Sequence, residues 1–292
     1  MMSGTQNDGS AADAELDLVD AGNAAYDEGD FDTAERFFRR AIDAGDLTMH
    51  LNLGNTFAER YETTEDPADL AKAAESYRIA LDAGETDAWR NLGMVLDKMG
   101  RTDAAIEAMR SAIAAGDQDA LLLLGYIFEE QDDAASAEKA YRDAVAGGCE
   151  FADAALGSFL LNEDRMDEAE SVLRPIAGNQ PDARADLGTL LIRTDRLAEA
   201  EQVLRAGFGA GEVESMIPLA NLYHEDLDDL DQAEEVLRTA VSLGELNAIN
   251  NLAVVLWDQG REAEAIEQWT LAADGGDELA VSALEEIHAG TD

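Results

Sequence analysis

Cysteine, proline, aromatic residues and positive charge are all scarce in this 292-residue chain. The single cysteine, Cys149, excludes an internal disulfide framework and a zinc site built on cysteines, and it suits a reducing cytoplasm. Four prolines leave little room for proline-rich linkers. Aromatics at 6% beside abundant Ala favour packed helices with small contact residues over a β-sandwich. No apolar run reaches membrane-spanning length, and the start, Met1 to Gly9, shows neither the basic patch nor the apolar stretch of a signal peptide. No membrane association and a cytoplasmic location are therefore expected.

Lys and Arg number 20 against 64 Asp and Glu, a formal charge of −44. Such a chain repels DNA, RNA and anionic lipid, and its scattered cations form no basic run. Nucleic acid is not an expected partner. Hydrophobic residues at 46% are too many for a disordered acidic tail and enough for a large core. Only Lys72, Lys98 and Lys139 are lysines. That pattern also fits a high-salt cytosol or a host whose codons favour Arg, Ala and Asp, where acid solvates the surface without any partner.

What the chain has is repetition. A small-Gly-acid step recurs at Ala44-Gly45-Asp46, Ala83-Gly84-Glu85, Ala115-Gly116-Asp117, Ala210-Gly211-Glu212 and Gly275-Gly276-Asp277, with degraded copies at Gly148 and Gly244. The central glycines advance by 39, 32, 32, 63, 33 and 32 residues, the 63 being two repeats with Asn179-Gln180-Pro181 in place of one step. A second ladder sets Leu before a small residue: Leu53-Gly54, Leu92-Gly93, Leu124-Gly125, Leu156-Gly157, Leu187-Gly188, Leu219-Ala220 and Leu252-Ala253, begun by Ala21-Gly22. A third sets a small residue, a bulky one four later and a small one three later, as in Ala34/Phe38/Ala41, Ala73/Tyr77/Ala80 and Ala265/Trp269/Ala272.

Spacings of three and four are helical, so each unit holds two helices, one carrying each ladder. Small residues let helix axes approach, and the bulky residue fills the space between them. Gly29, Gly100 and Gly260, and Asp132, Asp164 and Asp195 in other units, are expected in the left-handed conformation that ends a helix. The Gly-Asp step should stop one helix and cap the next. The expected architecture is all-α: about eight antiparallel helix pairs from Ala12 to Asp274, then a capping helix over Glu278 to His288. The domain organisation is a disordered tail at 1–11, one solenoid at 12–289 and a short tail at 290–292. The seven extra residues near Tyr61 to Ala68 predict a longer loop in the second pair. Pro218 predicts a mild kink, and Pro175 a shortened or kinked helix.

The stretch AWRNLGMVLDKMGRTDAAIEAMRSAI, Ala88–Ile113, resembles a tetratricopeptide repeat, with Trp89, Leu92-Gly93, Gly100, Ala105 and Ala112 in register. The junction AIAAGDQDALLLLG, Ala112–Gly125, is more similar to the Sel1-like relative. The resemblance covers nearly the whole chain. It implies an α-solenoid wound as a right-handed superhelix, non-enzymatic, needing no cofactor, that binds a peptide or protein on a concave face lined by the first helix of each pair. The period of 32 departs from the usual 34, so groove dimensions do not transfer.

The candidate binding residues are asparagines. Asn52, Asn91 and Asn251 precede the Leu of the second ladder, and Asn23, Asn55 and Asn221 follow its small residue. Across adjacent repeats they pair as Asn23 with Asn52, Asn55 with Asn91, and Asn221 with Asn251. An amide carries both donors and an acceptor and can bond a peptide backbone, as the resemblance implies; it can equally cap or bond a neighbouring helix. The inner face carries Arg90, Lys98, Arg184 and Arg193 against Asp20, Asp27, Glu59, Asp97, Glu129 and Glu130, which favours a basic or neutral protein partner. The rival role is an acidic decoy or chaperone-like protein that sequesters a basic partner. His50, His224 and His288 lie far apart and form no metal motif, and Cys149 has no base beside it in sequence, so catalytic and metal sites are not expected.

Overall fold

A computed structural model of the chain describes residues 9–290, with side-chain environments from 18 to 287. The described residues are helical throughout and divide into two compact units, 1–152 and 153–292. In the first, four helix pairs follow one another: α1 (Gly9–Asp27) with α2 (Phe31–Ala44), α3 (Met49–Thr64) with α4 (Pro67–Asp82), α5 (Ala88–Lys98) with α6 (Thr102–Ala115), and α7 (Ala120–Glu130) with α8 (Ala134–Gly147). In the second, α9 (Ala152–Asn162) precedes α10 (Met166–Ile176), and α11 (Pro181–Arg193) precedes α12 (Leu197–Ala210). Then come α13 (Met216–Asn221) with α14 (Leu230–Ser242), α15 (Asn247–Asp258) with α16 (Glu262–Asp274), and the final α17 (Glu278–Gly290). The eight pairs and the last helix stand where the ladders put them. The first helix begins at Gly9, inside the stretch expected to be a tail, because Gly9 to Ala11 continue the α1 helix; residues 1–8 and 291–292 lie outside the described residues. No described helix is long and apolar enough to cross a membrane.

The two inner ladders interlock. A Cβ on Gly22 would lie 2.6 Å from the Phe38 ring, on Gly54 2.4 Å from Tyr77, on Gly125 2.4 Å from Tyr141, and on Gly188 2.3 Å from Leu204. The first helix of each of these pairs therefore lies directly against the bulky residue of the second. Ala34, Ala73, Ala137 and Ala200 beside them are fully buried. Packing, not intrinsic propensity, holds helices as short as 11 residues.

Asp132, Asp164 and Asp195 have φ of 56, 61 and 58°, and Gly29, Gly100 and Gly260 lie between 69 and 77°, as the turn chemistry requires. The Gly-Asp step works less simply than expected. Asp277 caps α17 directly, its Oδ1 accepting from the amides of Leu279 and Ala280. Asp46 and Asp117 instead bond the amide two residues on and shape a short turn ahead of the helix. Side-chain caps fall mainly on second helices, from Asp30, Asp66, Asp133 and Asp229.

The expected loop near Tyr61 is absent. The seven additional residues lengthen the helices: α3 has 16 residues against 11 in α5, and α4 has 16 against 14 in α6. Glu65 at φ 54° and Asp66, capping α4 ahead of Pro67, turn the chain in two residues. Arg60 holds the extension. Its guanidinium makes a two-bond fork to Asp69 at 2.6 and 2.8 Å and reaches Glu35 at 2.8 Å and Asp32 at 3.0 Å, tying α2, α3 and α4 together. Asp69 is only 3% exposed, and the Arg60 hydrogen bonds hold its carboxyl at about 2. Glu234 anchors the second unit in a similar way. Burial alone would raise it, but hydrogen bonds from Arg261, Arg238 and Gln259 bring it down to about 2.

Pro218 acts more strongly than a mild kink, while Pro175 accompanies the shortened helix expected of it. The seventh pair opens with a 3₁₀ turn at Val213–Ser215, continues through Pro218 as the six-residue α13, and widens into a π turn at Leu222–Asp226. Pro175 lies near the end of α10, which has 11 residues against 14 in α6, α8 and α12. The junction beyond it has lost its glycine step. Amide exchange at 174–184 is expected to be faster than at the regular junction 112–118, measured by mass spectrometry on the native protein; equal protection would contradict this.

Candidate functional site

The inner face of the first unit is built from α1, α3 and α5, whose Leu-small seams pack against second helices and leave the adjoining positions facing outward. Two of the three expected asparagine pairs come together there. Asn52 Nδ2 donates to Asn23 Oδ1 at 3.1 Å, and Asn91 Nδ2 donates to Asn55 Oδ1 at 3.0 Å. Asn55 Oδ1 also accepts from the Tyr77 hydroxyl at 2.9 Å, so the second rung is anchored to the core of its own pair. Each rung thus spends one donor of the later amide and the oxygen of the earlier one. Among the described residues, Asn23 and Asn55 keep both N–H groups of their Nδ2 unbonded, and Asn52 and Asn91 keep their Oδ1.

Two adjoining pockets open over these rungs. One of about 350 Å³ is lined by Asn23, Tyr26, Asp27 and Asn52; the other, about 380 Å³, by Asn55, Glu59, Tyr77, Asn91, Met94 and Lys98. Tyr26 and Asn55 border both. The tyrosines and Met94 supply apolar wall between polar groups, the usual make-up of a binding cleft. Tyr26 and Tyr77 stay protonated: burial raises the first, and burial pushes the second above its ordinary range.

Asn221 and Asn251 do not join. Neither side chain makes a hydrogen bond among the described residues, and the π turn starts directly after Asn221. Asn250 is the engaged amide in that region, accepting from Trp269 Nε1 at 3.0 Å. A rung that the asparagine pattern missed lies in the second unit, where the Ser158 hydroxyl donates to Asp186 Oδ2. Ser158 follows Gly157 and Asp186 precedes Leu187, so these are the same two ladder positions filled by a different polar pair. Burial raises the Asp186 carboxyl.

The four cations expected on the inner face are spoken for. Arg90 pairs with Asp117 and Asp119, Lys98 with Glu62, Arg184 with Glu212, and Arg193 with Asp164 and the Leu161 carbonyl. Asp20, Asp27, Glu59 and Asp97 have no ion-pair partner among the described residues. Burial raises Asp97. The face consequently offers uncompensated negative charge.

The histidines and the cysteine form no site among the described residues. His224 Nε2 lies 2.7 Å from Asp258, and His50 has its Nδ1 buried with no partner, burial lowering its pKa. The His288 side chain lies outside the described residues. Cys149 Sγ sits 3.1 Å from the Gln118 carbonyl, and burial together with Asp119 pushes its thiol up, away from an activated thiolate.

Comparison with known proteins agrees with this architecture. Tetratricopeptide repeat models match residues 19–88, 66–120, 90–155, 181–206 and 222–280. The two gaps between these matches, 156–180 and 207–221, contain Pro175 and Pro218. No curated protein matches the chain in sequence. Among solved structures, yeast Tom70 is similar over 99% of this chain and 66% of its own, with TM-score 0.71 and 15% identity. A tetratricopeptide repeat protein from Parabacteroides merdae is similar over 84% of this chain and 99% of its own, with TM-score 0.61 and 16% identity. A protective antigen of uropathogenic Escherichia coli with an SLR fold, c5321, overlaps 94% of this chain and 73% of its own at 19% identity and TM-score 0.46. At these identities the structural likeness is one of fold. With the family models covering most of its length and eight helix pairs in register, the chain belongs to the tetratricopeptide repeat family.

Proposed function

We propose that the chain is a non-enzymatic scaffold, acting in the cytoplasm, that holds a basic peptide or protein segment along the inner face of α1, α3 and α5. The observation that carries this reading is the pair of asparagine rungs. Each one leaves N–H donors on its earlier amide and a carbonyl acceptor on its later one, above adjoining pockets. Donors and acceptors in that alternation complement an extended backbone whatever its side chains. The unpaired Asp27 and Glu59 beside them add attraction for Lys or Arg on the ligand.

Asn52→Ala/Asn91→Ala tests it on the partner recovered from native lysate. Each lost amide is expected to cost about 0.5–1.5 kcal/mol, roughly two- to tenfold in affinity. Helicity should be nearly unchanged, since Ala is the better helix former. Asn251→Ala, in the unengaged pair, should bind as wild type. A folded double variant that binds like wild type would reduce the rungs to inter-helix hydrogen bonds and remove the basis for this groove.

A further inference from the structure

Most junctions between repeats carry an acid, and in two places the chain supplies its counter-ion. Arg90 of α5 reaches Asp117 at 3.3 Å and Asp119 at 3.1 Å, and Arg184 of α11 pairs with Glu212. The cation comes each time from the first helix of the preceding pair, 27 residues before Asp117 and 28 before Glu212. For Asp277, the acid of the last junction, those positions hold Asn250 and Ile249, and the Asn250 oxygen is already taken by Trp269. Asp277 has no ion-pair partner among the described residues, nor do Asp274, Glu245 and Glu278 around it. Beyond Arg261 the sequence contains neither Lys nor Arg.

Between these acids a groove of about 590 Å³ opens, with Leu246, Ile249, Leu271, Asp274 and Asp277 in its wall. Leu246 is 70% exposed and Leu271 53%. Leu279, in the first turn of α17, is 71% exposed. Leucines in the open with uncompensated carboxylates at their edge set this surface apart from the Arg90 and Arg184 junctions, and apolar patches of this kind mark interaction sites. We propose that this groove docks an amphipathic basic helix of a partner protein. Its apolar face covers Leu246 and Leu271, and its Lys or Arg gives Asp274 and Asp277 the cation that Arg90 and Arg184 provide elsewhere. A second copy of this chain does not fit the charge: it would bring 44 further negative units and, from its own last 31 residues, no cation. The groove shares no residue with the asparagine-lined pockets.

The test uses the full chain and a fluorescein-labelled synthetic Leu/Lys amphipathic helix of about 14 residues, roughly four turns. Anisotropy is read at about 0.15 M and about 0.5 M NaCl, the higher salt suppressing diffuse attraction to an acidic protein. Leu246→Ser/Leu271→Ser changes no charge and is expected to weaken binding about tenfold or more at both salts. Asp274→Asn/Asp277→Asn keeps the α17 cap, since Asn caps as well as Asp, and is expected to weaken binding several-fold at low salt and less at high salt. Asn52→Ala/Asn91→Ala should bind the peptide as wild type, which separates this surface from the inner face. If the leucine variant binds as tightly as wild type, the peptide is held by net charge alone and the proposal is overturned. A dimer in sedimentation that the leucine variant dissolves would overturn it too, assigning the groove to a second copy.

Discussion

Arg60→Ala is expected to destabilise the first unit by about 3 kcal/mol at neutral pH. Removing one partner of a buried ion pair typically costs about 3–5 kcal/mol because the other is left charged in a dry site, and Lys72, 2.8 Å from Asp69, compensates in part. The variant also cuts the links from α3 to Glu35 and Asp32 on α2. The pH dependence gives the sign. The folded Asp69 carboxyl sits at about 2, below its ordinary 3.8, so its contribution is complete above pH 4 and is lost as pH falls towards 2. That depression corresponds to about 2 kcal/mol. In Arg60→Ala only Lys72 is left to depress it, so the gap between wild type and variant should narrow as pH drops from 5 to about 2. Urea melts followed by far-ultraviolet circular dichroism at several pH values measure it; a gap that stays constant across that range would contradict the account.

Tyr77→Ala should cost about 3–5 kcal/mol, the usual loss for a large buried aromatic side chain. The ring fills the space over Gly54 and its hydroxyl anchors the Asn55 rung. The sharper expectation concerns the pair. In wild type, Gly54→Ala puts a Cβ 2.4 Å from a rigid ring, and overpacking of that order costs about 1–3 kcal/mol, more than the roughly 1 kcal/mol gained in helix propensity. In the Tyr77→Ala background the ring is gone and the same substitution should stabilise by up to about 1 kcal/mol. Thermal melts of the four proteins give the cycle. If Gly54→Ala stabilises wild type as well, the two ladders do not interlock as described.

The contrast between Gly54 and Asn52 shows what the sequence could and could not tell. Leu53-Gly54 and Ala73/Tyr77/Ala80 recur in phase, and periodic small and bulky residues have one efficient packing, so helix pairs and core contacts were legible. The insertion near Tyr61 was not. Seven extra residues can make a loop or lengthen two helices, and the choice depends on Arg60 finding Asp69, Glu35 and Asp32 across three helices. The asparagine positions were legible as one face of a helix. Which amide atoms bond each other depends on the approach of neighbouring repeats, which holds at Asn23/Asn52 and Asn55/Asn91 and not at Asn221/Asn251. Ser158 and Asp186 share the register but not the residue type, so an asparagine pattern does not reveal them. The exposure of Leu246 and Leu271 is not legible in the sequence, because cover at a repeat junction depends on tertiary packing and not on local pattern.

The central claim is that the asparagine-lined inner face holds the partner, and site-specific photocrosslinking tests it most directly. One crosslinker replaces Met94, exposed and in the wall of the Asn55/Asn91 pocket; another replaces Arg78, exposed on α4 and outside both pockets. Irradiation in native lysate at low and high salt should yield one discrete adduct from position 94 under both conditions and none from position 78. Backbone capture by amides survives screening that abolishes attraction by net charge alone. Equal adducts from both positions, or an adduct at 94 that vanishes at high salt, would contradict the account and describe an acidic decoy instead.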